Sequence, residues 1–131
     1  MTDLIALRVA AAALLLAVAP PAFAQSMNAE EFHRRAIAIQ KKGPIAVFSM
    51  GQVKALTAEG QAAGRKAREA RLAAIAAGKT PRYCPPADAP QKMGSSEFMT
   101  RLSAIPASER ARIDMTEAMT RILARKFPCR G

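Results

Sequence analysis

Apolar residues return at helical spacing in four stretches of the chain. Over 29–42, Phe32, Ala36 and Ile39 share one face. Asn28 with Glu31 three residues later has the spacing of a capping box. Glu30 and Glu31 stand at the start of this stretch and Lys41 and Lys42 at its end, the order the helix dipole favours. Gly43-Pro44 is a stop signal. The short apolar run 45–50 has no second strand to pair with, so it reads as a buried connector or a helical turn. A long second helix follows over 51–77, with Ser49 and Gln52 as candidate caps. Val53, Leu56, Gly60, Ala63, Ala67, Ala70, Ala74 and Ala77 recur along it in alternating steps of three and four, a heptad-like stripe of mostly small residues. Such a stripe lets a neighbouring helix backbone come close. Gly60 and Gly64 each disfavour a helix interior by about 1 kcal/mol relative to Ala, and they read either as a tolerated pair or as the mark of a kink or close crossing. Gly78 ends the helix and Pro81 follows.

Residues 82–94 hold Pro85, Pro86 and Pro90 and read as a loop. A third helix is expected over 96–103 after a Ser95 cap, with Phe98, Leu102 and Ile105 on one side and Pro106 as a break. A fourth runs over 108–126 with Ala111, Met115, Ala118, Met119 and Ile122 as its stripe. Phe127-Pro128 forces an extended exit, and Cys129 lies two residues from the end. The fold class expected is therefore all-α: a small four-helix domain with one long Ala-rich helix and one disulfide.

The segment 1–24 has a different pattern. Its apolar run, 9–19, has the length of a signal-peptide h-region and is too short to span a bilayer. Pro20-Pro21 closes it, and Ala22-Phe23-Ala24 supplies small residues for cleavage before Gln25. The expected organisation is a cleaved signal peptide over 1–24 and one helical domain over 25–131, in the periplasm or secreted. No transmembrane anchor is expected after cleavage.

Composition sharpens this picture. Of 131 residues, thirty are Ala and only 5% are aromatic, so the core is thin for its length. Two Cys in a short exported chain point to one disulfide, Cys84–Cys129, as a staple for that core. One His and two Cys are too few for a typical zinc site, and no cofactor is expected. His33 reads as a helix-surface residue. Glu97, Glu109, Asp114 and Glu117 read as ion-pair partners of Arg101, Arg110, Arg112 and Arg121. No Gly-rich phosphate loop or nucleophile elbow occurs, so enzymatic activity is not expected. The formal charge of +10 reads as a solvated basic surface that aids solubility or as a surface for an anionic partner. Export and a single Tyr, which leaves no stacking platform, argue against nucleic acid. Arg65, Lys66, Arg68 and Arg71 form the candidate basic contact face, suited to an acidic patch on a protein or to an anionic envelope polymer.

Tyr83-Cys84-Pro85-Pro86, then Phe98 and Leu102, a proline break with Ser108, a last helix, and Phe127-Pro128-Cys129 frame the second half of the chain. Over 82–129 this pattern resembles the Rap/Tai group of small periplasmic immunity proteins, which protect bacteria against peptidoglycan-cleaving toxins of the type VI secretion system. The resemblance implies a helical, disulfide-stapled binding protein that neutralises a toxin sterically. It carries over Cys84 and Cys129 as the bridge and Tyr83 as a packing residue beside it, with Phe127 in the matching position at the other end. The upstream cysteines that family members often carry have no counterpart here. Two other expectations stand beside it: a periplasmic envelope-stress chaperone or structural factor, and a basic binder of anionic envelope polymers.

Overall fold

A computed structural model describes residues 26–88 and 92–130. The signal peptide expected over 1–24 lies outside the described residues. The regular elements of the described residues are all helical: α1 (Ala29–Lys41), a 3-10 turn (Gly43–Ser49), α2 (Met50–Ala76), α3 (Ser95–Ser103), α4 (Ala107–Arg110) and α5 (Met115–Lys126). Cys84 and Cys129 are joined, with their Cα atoms 4.8 Å apart. That bridge points to an oxidising compartment outside the cytosol.

Local chemistry accounts for most of the boundaries. The Asn28 side chain accepts from the backbone N–H groups of Glu30 and Glu31 at 3.0 and 3.1 Å, satisfying two donors that the first turn of α1 leaves open. Its Nδ2 donates to the carbonyl of Ala111 at 2.9 Å. One side chain thus starts a helix and closes a loop more than eighty residues away. Gly43 ends α1 with a positive φ of 56°. At the end of α2, Lys79 N–H donates to Ala74 O and Gly78 N–H to Ile75 O, the bond pair of a Schellman cap with Gly78 as its left-handed residue.

Four expectations differ, the simplest being that Ser95 is the first residue of α3 and Gly94 its N-cap, with no side-chain cap bond. The fourth helix is broken: α4 ends at Arg110 and α5 begins at Met115. The carbonyl of Ile113 is taken by the N–H of Ala29 at 3.0 Å, and Asp114 caps the new helix by accepting from Glu117 N–H at 2.8 Å. Ala111 is consequently exposed rather than part of the apolar stripe. Ser49 does not cap α2; its hydroxyl accepts from Lys42 Nζ. The run 45–50 is the helical turn expected, but it is not buried: Phe48 is 88% exposed and Ile45 64%.

α2 is 27 residues long, about 40 Å at 1.5 Å per residue, and packs most extensively on α5. Ala63 and Ala67 of α2 and Ala118 of α5 are fully buried, so the small-residue stripe does seat a neighbouring helix at its centre. Further along, Ala70 and Ala77 are exposed. The core is built from Leu102, Ile105, Met115 and Ile122, with Phe32 and Leu56 closing it. Phe32 meets Phe98 edge to face at 5.8 Å between centroids.

Candidate functional site

Apolar residues of α1, α2, α3 and α5 do not close completely on one another. They leave an open groove of about 690 Å³. Its walls are Ile39 of α1, Val53 and Leu56 of α2, Phe98 and Met99 of α3, and Met119 and Leu123 of α5, with Met93 at the approach to α3. Gly60 and Gly64 line the α2 side. A Cβ added to either glycine would meet nothing within 4 Å. The glycine pair therefore marks no close crossing among the described residues, and α2 continues through both. It widens the groove. Three methionines in the lining make it adaptable, because an unbranched thioether repacks around differently shaped guests.

The polar groups at the groove come chiefly from α2. Arg65 and Arg68 line it and are exposed, with Gln61 and Thr57 on the same helix. The basic face expected from the sequence is therefore divided. Arg71, one turn further on, lays its guanidinium over the Tyr83 ring at 5.5 Å. Lys66 is half-buried. Tyr83 itself is 2% exposed and borders the groove, so it links the disulfide region to the groove wall.

The disulfide end is tied down by more than its sulfurs. Cys84 N–H donates to the carbonyl of Phe127 at 2.8 Å. Phe127 is half-buried, with Lys126 Nζ 5.7 Å from its ring centroid. Arg82 grips Glu117 of α5 through two hydrogen bonds, at 2.6 and 2.9 Å. Arg82, with Arg121 adding a further bond, holds the Glu117 carboxyl down to about 2. Glu97 is likewise held below its ordinary value, by Lys126 first and Arg101 second.

At the other end, Arg110 is 6% exposed. It pairs with Glu30 of α1 at 2.6 Å and also donates to the carbonyls of Leu102, Ser103 and Ile105. The sequence suggested short-range partners for Arg110. The actual partner is eighty positions away, and Glu109 instead reaches Arg121 at 3.0 Å. His33 lies next to Ser103, Nε2 to Oγ 2.9 Å. Burial first, then Arg110, lowers its pKa from the ordinary value against a smaller opposing pull from Glu30.

Among the described residues no three His, Cys, Asp or Glu side chains converge to hold a metal, and no helix is long and apolar enough to cross a membrane. The groove can bury an apolar guest and offer guanidinium donors to an anionic edge of it. Set against protein-family models, curated proteins and solved structures, the chain has no match.

Proposed function

We propose that this chain is an exported, non-enzymatic binding protein of the periplasm that neutralises a cell-wall-degrading toxin by occupying part of it. The groove receives an apolar segment of the toxin whose flanking carboxylates meet Arg65 and Arg68. The bulk of the helical domain then covers the toxin's cleft. The observation that carries the reading is the groove itself: about 690 Å³ of mostly apolar space with two exposed arginines on one wall. Clefts of roughly 300–1,000 Å³ with a few placed polar groups are the usual form of a small-ligand site, and a few side chains of a protein segment make a guest of that size. Charge complementarity favours an acidic protein partner over a neutral one, since the whole chain carries +10. The Tyr83–Pro86 and Phe127–Cys129 framing that resembles the Rap/Tai immunity proteins points the same way.

The test uses cells that export a peptidoglycan amidase toxin to their periplasm together with this chain or its Gly60→Leu variant. Leu at 60 fills groove space that is empty now. The expected result is survival with the native chain, a stable complex with the toxin, and loss of both in the variant. Lysis with the native chain, and no complex with any envelope hydrolase, contradicts the proposal. Protection of aggregating clients by both forms, with no toxin complex, would favour the chaperone reading instead.

A further inference from the structure

The 3-10 turn between α1 and α2 carries Ile45, Val47, Phe48 and, at the first position of α2, Met50, exposed by 64, 61, 88 and 46%. Nearly consecutive large apolar side chains left in water at a chain corner call for a partner. In a 3-10 helix, residues three apart stack on one side. Ile45 and Phe48 thus form one ridge, and Val47 and Met50 another. The corner is an apolar knob with more than one greasy side. A shaped protein groove reads one face of a helix. Liquid hydrocarbon accepts all sides of a knob.

The charges flanking the knob in sequence are of one sign. No carboxylate occurs in the sequence between Glu31 and Glu59. Lys41 and Lys42 stand at its entry and Lys54 in the first turn of α2, all exposed. The turn packs on α1 and α2. An exposed apolar tip flanked in the chain by lysines suits insertion into a bilayer surface while the ammonium groups stay at the headgroup phosphates.

We propose that the 43–50 corner is a membrane-docking tip that inserts Phe48 and its neighbours into the surface of a bilayer containing anionic phospholipid. The tip is distinct from the groove, and the proposal stands whether or not the groove takes a toxin.

The experiment is co-sedimentation of the protein, taken from the periplasmic fraction with its N-terminus confirmed as Gln25, with vesicles of phosphatidylcholine alone or mixed with phosphatidylglycerol. Binding is expected only with phosphatidylglycerol, and it should weaken with added salt. Phe48→Asp should weaken it by about tenfold or more, the scale of withdrawing one aromatic side chain from hydrocarbon. The Lys41→Glu/Lys54→Glu pair should weaken it several-fold. Phe48 is 88% exposed and no part of the core, so Phe48→Asp should leave the unfolding midpoint where it was. The chain has no Trp, and Phe48→Trp therefore supplies a single reporter whose emission should shift to the blue on anionic vesicles. Equal sedimentation of native protein and Phe48→Asp overturns the proposal, as does an emission from the Phe48→Trp variant that the vesicles leave unshifted. A dimer in solution that Phe48→Asp dissolves also overturns it, because the knob would then be an interface between copies.

Discussion

The two sides of this small domain are built on opposite principles. Where the N-termini of α1 and α5 meet α4, polar groups are matched with partners. Asn28 caps α1 and holds the 111–113 loop. Asp114 caps α5, and Ser26 accepts from Thr116 N–H at 3.1 Å. Arg110 satisfies Glu30 and three carbonyls from an almost fully buried position. Where α2 faces α3, apolar side chains and two glycines stop short of contact and leave a groove. The first side specifies one structure, because a buried polar group left unmatched costs about 1–3 kcal/mol. The second can accept changes of occupant. The matched polar contacts lie on one side of the domain, and the open apolar surface on the other.

The largest effect should come from cutting the staple. Opening Cys84–Cys129 frees a separation of 45 residues, worth about 4 kcal/mol in the loop-entropy account. Denaturant unfolding of the Cys84→Ser/Cys129→Ser pair should show a loss of that order, and an unchanged midpoint would mean the matched side alone holds the fold. Next, Arg110→Ala should cost about 3 kcal/mol, since it strands Glu30 and three carbonyls. The same substitution at the exposed Arg65 should cost nothing measurable.

Smaller effects sharpen the contrast. Glu117→Gln should cost about 1 kcal/mol at neutral pH, because its ion pairs are partly exposed. The Glu117 carboxyl is lowered from 4.5 to about 2. Its contribution is therefore complete above about pH 4.5 and fades as pH falls toward 2. Thermal unfolding of the native protein should weaken across that window, and Glu117→Gln should flatten the slope there. His33, with a lowered pKa, favours its neutral form in the fold. Stability tied to it is present above pH 6.5 and declines as acid protonates the ring. On the groove side the sign reverses. Gly60→Ala should raise stability by about 0.5–1 kcal/mol, since the position is helical and its Cβ meets nothing. A loss there would show that the groove is closed in solution.

The framework of caps, staple and ion pairs was only partly legible in the sequence. Asn28, Gly43, Gly78 and the cysteine pair were readable because each is a local signal or a matter of inventory. The break before α5 carried a signal too: Asp114 with Glu117 three residues on has capping-box spacing, but an unbroken apolar stripe outweighed it. Arg110–Glu30 and Lys126–Glu97 were not legible. Pairing across 80 and 29 positions depends on how helices dock. The groove was half legible. The Gly60/Gly64 stripe was visible, but small residues at helical spacing read the same whether a helix fills the space or nothing does. The knob at 45–50 misled for a related reason. An apolar run ordinarily signals burial, and only the tertiary arrangement shows a corner with nothing over it.

The contrast itself rests on the groove being open, apolar and uncoupled from stability. One titration tests this directly: the anionic apolar dye ANS added at neutral pH to the Phe48→Asp protein, which removes the exposed aromatic at the 45–50 corner, and to the same protein carrying Gly60→Leu, with unfolding midpoints recorded on the same samples. Saturable binding to the protein with Gly60 intact, lost on adding Gly60→Leu while the midpoint stays equal or rises, is the predicted result. Equal dye binding by both, or a variant that unfolds several degrees earlier, would contradict it.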